Sequence, residues 1–444
     1  MSARGEFSSR LGFVLAAAGS AVGLGNIWGF PSQVAQNGGA AFVLVYLILA
    51  FFLAYPVLMA ELIIGRATRA NVVDALGAII QSKAGRYVGL WGALTASLIL
   101  SFYAIVAGWM LAYFVESTLS LVTDKPGLTW FVDFSFSRNW FFCLLFLSFT
   151  AAIVTGGVRQ GIEKWSVRLM PTLVILIVAL IIYVSLQDGA IDGWRAYLIP
   201  DFSKVTDPEL LISAMGQAFF SMSLGVGTML VYGSYIAKSE NLPALGASVA
   251  LVDIGVAVLA GMLIIPAMYV AQANGVAIFT ESGTLIEGDA LIFNVLPSLF
   301  ASIGPIGVVI ASVFFALMSI AAVTSSISML EVPVSYLVED KAVSRTKAVW
   351  VMTLVILGIS TVIIANFGDL FGLVITVTTQ YSQPLLGLIM CVFVGWVWRR
   401  NAILSELKEG FAGAEQSLFW KIWPVYVKFV CPIIIGVMFI RTVL

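Results

Sequence analysis

The run Gly19-Ser20-Ala21-Val22-Gly23-Leu24-Gly25-Asn26 sets three glycines, a serine and an asparagine inside an apolar stretch, Leu11 to Ala35, long enough for one membrane-crossing helix. Glycine costs roughly 1 kcal/mol relative to alanine in a helix interior and opens positive φ, so the stretch is expected to unwind partway. Unwinding frees backbone N–H and C=O groups that lipid cannot satisfy. They must line a cavity or meet an ion, which makes the stretch a binding site in kind. A second interrupted run, Gln217-Ala218-Phe219-Phe220-Ser221-Met222-Ser223-Leu224-Gly225-Val226-Gly227, has the same make-up. Asp253 adds a carboxylate in the middle of the apolar run 243–273. Burying it costs several kcal/mol unless it meets a cation or takes a proton. The competing account of the glycines is close helix packing, which covers Gly19 and Gly23 but not a cluster holding Ser20 and Asn26.

These groups need elements to hold them, and the composition says which kind. The chain of 444 residues is 60% hydrophobic and 11% charged, with a mean hydropathy of +1.02, against roughly 25% charged in soluble domains. Apolar runs at about 11–35, 40–65, 88–122, 140–156, 166–186, 210–236, 243–273, 305–337, 348–366, 370–398 and 420–443 predict eleven spans, an all-α membrane bundle. Lysine and arginine gather in alternate loops, among them Arg66, Arg69, Lys83, Arg159, Lys238, Lys341, Arg399 and Lys408, which predicts a cytoplasmic N-terminus and an external C-terminus. The opposite loops are acidic, and 281–304 is expected to form short helices capping the outer face. Cys143, Cys391 and Cys431 lie in apolar runs without paired spacing and imply no disulfide framework. Histidine is absent. That removes Ser-His-Asp and Cys-His catalysis and the usual zinc sets, so the chain is not expected to be an enzyme and has no catalytic residue to name. Two broken helices five spans apart predict an inverted repeat with its site at the midplane.

At these residues the chain resembles a family. Ser9-Arg10-Leu11-Gly12-Phe13 through Gly25-Asn26-Ile27-Trp28, Phe30-Pro31 and Asn37-Gly38-Gly39-Ala40-Ala41-Phe42 resemble the first-helix signature of the neurotransmitter:sodium symporters. Gln217 to Gly225 resembles their sixth helix, and Thr324-Ser325-Ser326-Ile327-Ser328 their eighth. The resemblance implies a short bacterial member of eleven helices, built as a 5+5 inverted repeat: 1–10 a cytoplasmic segment, 11–187 the first repeat, 188–208 an extracellular loop, 209–400 the second repeat, and 401–444 a cytoplasmic loop with the eleventh helix.

The resemblance also implies ligand sets. One sodium site takes the carbonyls of Gly19, Val22 and Ala321 and the hydroxyls of Thr324 and Ser325, oxygen ligands suited to a hard cation. A bland reading has those hydroxyls bonding back to their own helix. A second site takes the Ala21 carbonyl, Asn26 and Ser221; counting back from Pro266 puts Val252 where the family has asparagine, and a one-residue shift makes Asp253 the ligand. The other reading is a lost site with a protonated Asp253. Val256 stands near the position linked to chloride dependence, and chloride stays open, with one or two sodium ions expected. The substrate's carboxylate is implied to meet the Leu24 and Gly25 amides and the Tyr103 hydroxyl. Its amino group meets the carbonyls of Ala21, Phe220 and Ser221 with the Ser223 hydroxyl, and Gly23, Ile99, Val226, Ser325 and Met329 complete the wall. Gly23 stands where monoamine-transporting members carry aspartate, which argues against a biogenic amine.

Both ends of the family's outer charge pair are replaced, by Gly29 and by Ile375 or its neighbours Val374 and Thr376. The outer gate is therefore expected to close through Tyr103 and Phe220. The inner gate is expected to set Arg4 and Phe7 against Glu339 and Tyr235. The function implied is sodium-coupled import, in the bacterial inner membrane, of a small zwitterion, a neutral amino acid first and a non-standard amino acid or osmolyte second. A substrate-gated sensor or channel on the same fold is the alternative class. Implied partners are the zwitterion, sodium ions and membrane lipid, with no nucleic acid.

Overall fold

The computed structural model describes residues 5–123, 133–279, 285, 293, 295–302 and 304–443. Among them the regular structure is helix, apart from one isolated bridge between Phe279 and Leu285. The helices in order are α1 (Arg10–Ala21), α2 (Gly25–Gln36), α3 (Ala40–Thr68), α4 (Val72–Ile80), α5 (Lys83–Thr123), α6 (Phe136–Thr155), α7 (Val158–Ser185), α8 (Ala190–Leu198), α9 (Pro208–Ser221), α10 (Thr228–Gly233), α11 (Leu242–Ala273), α12 (Leu296–Ser302), α13 (Pro305–Glu339), α14 (Arg345–Ala365), α15 (Phe367–Val397), α16 (Arg400–Gly410) and α17 (Leu418–Thr442). Polar caps start several of them: Ser9 accepts from the Gly12 amide, Asn71 from Val73 and Asp74, and Asp207 from Glu209.

Nine of these helices are long and apolar enough to cross a bilayer, and α1 with α2 makes a tenth as a pair bent by 54°. The expected span at 210–236 is built differently, as α9 and α10 of 14 and 6 residues on either side of residues 222–227. Of the expected outer helices at 281–304, α12 is present; Glu281, Glu287 and Asp289 lie outside the described residues, as does Arg4.

Both breaks fall where the glycines predict, but by different physics. In the second, Ser223, Gly225 and Gly227 take φ of 51°, 83° and 82°, the left-handed region that glycine makes cheap. In the first, no residue has positive φ, contrary to the expectation from glycine freedom. There the glycines supply room: a Cβ on Gly23 would lie 2.4 Å from the Ser325 hydroxyl and 2.7 Å from that of Tyr103, and one on Gly25 would lie 3.0 Å from the Phe220 ring. α1 packs against α7, α11 and α13, and α5 lies along α13, so the first break is enclosed by the long helices.

Candidate functional site

The amides freed by the second break are met by Glu61 of α3. Its carboxylate is fully buried and accepts from the Gly225 amide at 2.6 Å and the Leu230 amide at 3.3 Å. The Ser223 hydroxyl crosses to the first break and donates to the Ser20 carbonyl at 3.2 Å, so the two broken helices are bonded to each other at their irregular turns.

Two oxygen clusters form there. In the first, the Ser325 hydroxyl lies 3.3 Å from the Gly19 carbonyl and 3.1 Å from that of Val22, and the Thr324 hydroxyl lies 3.5 Å from Val22 and 3.0 Å from Ala321. Each of these contacts is a hydrogen bond from a hydroxyl to a carbonyl, and both are neutral oxygens of the kind a hard cation takes as ligands. Thr324 also bonds back to Ile320 at 3.3 Å within α13, as the bland reading has it, whereas both Ser325 partners belong to α1 and the residue after it.

In the second cluster the Asn26 amide donates to Ser221 Oγ at 2.9 Å and to Asp253 Oδ1 at 2.8 Å, and Ser221 donates to Asp253 Oδ2 at 2.8 Å. All three side chains are fully buried. Asp253, one position after half-buried Val252, is thus the α11 residue that reaches Asn26.

Next to the first cluster, and sharing Ser325 with it, lies a cavity of about 20 Å³, room for one water-sized sphere. Ala21, Gly23, Leu24, Gly25, Ile99, Tyr103, Phe220, Ser223, Val226, Ser325 and Met329 line it, which is the expected substrate set apart from Ser221. Ala96 and Gln383 complete the lining and are absent from the sequence-derived set. The Leu24 amide donates to the Tyr103 hydroxyl at 3.2 Å. An incoming carboxylate must share that amide with Tyr103, and a hydrogen bond to a charged group is worth about 1.5–3 kcal/mol. Tyr103→Phe is expected to raise the concentration of substrate needed for half-maximal uptake roughly ten- to a hundredfold. An unchanged value would remove Tyr103 from the carboxylate set. A second cavity of about 200 Å³, lined in part by Tyr113, Glu116, Phe300 and Phe315, holds none of the expected site residues.

At the gates the picture is mixed. A Cβ on Gly29 would meet the Gln217 amide at 3.4 Å, and Gln217 donates to the Gly25 carbonyl at 2.7 Å, so a neutral side chain borders this corner alongside Phe220. On the inner side, the Phe7 amide donates to the Tyr235 carbonyl at 3.2 Å and the two rings meet edge-on at 6.3 Å. The Glu339 carboxylate accepts from the Asn71 amide at 2.8 Å, at the start of α4. Tyr235 also donates to Glu331 at 2.7 Å, and Arg345 grips Glu331 with two bonds of 3.1 and 2.6 Å. Glu61 and Glu331 carry the same signal as Asp253, an acid inside an apolar run, and so were findable from sequence. Just beyond α13, hydrogen bonds from Lys341 and Arg86 hold the Asp340 carboxyl down at about 2, so this rim stays charged at any physiological pH.

Glu331 is fully buried and Arg345 mostly so. Taking one partner from a buried pair costs about 3–5 kcal/mol, with the lower end expected when an amide keeps one bond. Glu331→Gln should therefore lower the melting temperature by several degrees, and pairing it with Arg345→Gln should cost less than the two singles summed. Additive losses would show that the pair does not act as a unit.

The sequence pattern described as the Sodium:neurotransmitter symporter family matches residues 4–133 and 136–444. The chain belongs to that family. Among its relatives in the family, an uncharacterized sodium-dependent transporter of Haemophilus influenzae is 35% identical, over 98% of this chain and 98% of its own. YhdH, an uncharacterized sodium-dependent transporter of Bacillus subtilis, is 31% identical over 99% and 97%. The crystal structure of MhsT in complex with L-phenylalanine superposes with a TM-score of 0.85 at 35% identity, covering 99% of this chain and 100% of that one. The protein is therefore an integral membrane protein of a sodium-dependent transporter family, a family of transporters and not of enzymes.

Proposed function

We propose that this family member imports a neutral amino acid, or a zwitterion of that size, together with sodium. The observation that carries the reading is Ser325, whose hydroxyl touches the Gly19 and Val22 carbonyls in the cation-type cluster while the residue also lines the cavity beside Tyr103. An ion held by that hydroxyl and a substrate seated against it share one residue, so each stabilises the other. MhsT, similar over its whole length, was crystallised with an amino acid, which supports the substrate class. The first cluster is the sodium site of Gly19, Val22, Ala321, Thr324 and Ser325; Ala21, Asn26, Ser221 and Asp253 form the second. The chain crosses the bacterial inner membrane eleven times, counting α9 with α10 as one span, with the N-terminus inside and the C-terminus outside, as two inverted five-helix repeats. The outer gate is Tyr103 and Phe220, and Arg4, Phe7, Tyr235 and Glu339 serve the inner gate.

The test is uptake of labelled amino acids into proteoliposomes, after a thermal-shift screen of amino acids and osmolytes with sodium or potassium has chosen the substrate. Accumulation above the outside concentration, driven by sodium and not potassium, is expected. Equilibration without accumulation would indicate a channel or sensor instead.

A further inference from the structure

Gln383 is the member of the cavity wall whose hydrogen bonding is incomplete. It stands on α15 where that helix meets the second break: a Cβ on Gly225 would lie 2.2 Å from the Gln383 carbonyl, so its backbone is fixed against the break. Its side chain is 2% exposed, and the amide nitrogen makes one long bond of 3.4 Å to the Phe219 carbonyl. Turning the amide over would set Oε1 against that same carbonyl, two acceptors face to face, so Oε1 remains the free end. That oxygen is buried without a partner. The Trp28 indole nitrogen and the hydroxyls of Tyr232 and Ser319 share that condition, but none of them lines the cavity.

A buried acceptor left unmet is a standing cost, and a binding site removes it by accepting from whatever enters. The rest of the cavity wall leaves it unmet. Ala96, Ile99, Val226 and Met329 have no side-chain donor, the Ser223 and Ser325 hydroxyls donate to the Ser20, Gly19 and Val22 carbonyls, the Tyr103 hydroxyl is engaged with the Leu24 amide, and the hydroxyls of Thr95 and Ser382 are taken by each other at 2.7 Å. On the reading that the cargo is an amino acid, its ammonium group is already provided for by the carbonyls at the two breaks and Ser223. The donor that reaches Gln383 must then come from the side chain of the cargo. We infer that Gln383 sets specificity, and that the preferred substrates are neutral amino acids whose side chain carries a hydrogen-bond donor, a hydroxyl, an indole N–H or an amide.

This inference rests on the transport reading above, and matched pairs separate the two. Full-length protein in proteoliposomes at saturating sodium is offered tyrosine against phenylalanine, threonine against valine, and tryptophan against 1-methyltryptophan, each as competitor of the labelled substrate. The donor-bearing member of the transported pair is expected to compete roughly tenfold better or more, and Gln383→Met, similar in length but without the acceptor, to bring that ratio near one. Gln383→Glu, which keeps an acceptor, should retain the preference. A parent that prefers the donor-lacking members, or a ratio unmoved in Gln383→Met because a water satisfies Oε1, overturns the assignment while leaving sodium-coupled amino-acid uptake intact. Absence of sodium-dependent uptake of every amino acid would overturn both.

Discussion

Replacing Thr324 and Ser325 together with alanine is expected to abolish sodium-driven uptake in the physiological range. Each hydroxyl contributes an oxygen to a cluster otherwise made of the Gly19, Val22 and Ala321 carbonyls. Interactions of this kind with a charged group are worth about 1.5–3 kcal/mol each, so losing both weakens sodium binding by roughly two to four powers of ten. The singles should be unequal. Thr324 already bonds to Ile320 and Ala321 in its own helix, whereas the Ser325 bonds run to Gly19 and Val22, so Ser325→Ala should do the greater harm. Sodium titrations followed by thermal stability and by uptake give the shift directly. A double mutant with the parent's sodium dependence would show that the ion binds elsewhere.

The second large effect belongs to Asp253. Its two oxygens accept from Asn26 and Ser221, so Asp253→Asn can keep the Asn26 bond through its carbonyl while its new amide donates to a Ser221 hydroxyl that turns. The variant should fold, bind sodium roughly ten- to a hundredfold more weakly for want of the charge, and retain some uptake. Asp253→Leu leaves both partners buried and unpaired, at about 1–3 kcal/mol each, and should lose uptake altogether. If Asp253→Asn bound sodium as the parent does but lost a pH dependence of transport, Asp253 would be a proton carrier and not a sodium ligand.

The two breaks were legible because glycine and small polar residues inside a run otherwise rich in valine, leucine and isoleucine are a local signal. What the glycines do was not. Gly23 and Gly25 are set by side chains arriving from α5, α9 and α13, far away in sequence, and no local propensity carries that. The meeting of Asn26, Ser221 and Asp253 depends on three separate helices, and only the likeness to a family brings those positions together on paper. Glu61, Glu331 and Gln383 are polar residues inside long apolar helices, a signal the sequence carries; their partners, a freed backbone group, an arginine at the start of the next helix and a cavity, come from other parts of the chain and are not written locally.

The presence of two oxygen clusters, and not one, bears on how steep a concentration difference the protein can sustain. A sodium ion entering down a tenfold gradient and a membrane potential of 100 mV releases about 1.4 plus 2.3 kcal/mol, enough to hold a neutral cargo roughly 400-fold above its outside level. If the cluster of Asn26, Ser221 and Asp253 carries an ion of its own in the same cycle, the exponents add and the attainable ratio is squared, to about 10⁵. On that condition, one carboxylate on α11 would separate a transporter suited to a nutrient-rich setting from one able to scavenge traces.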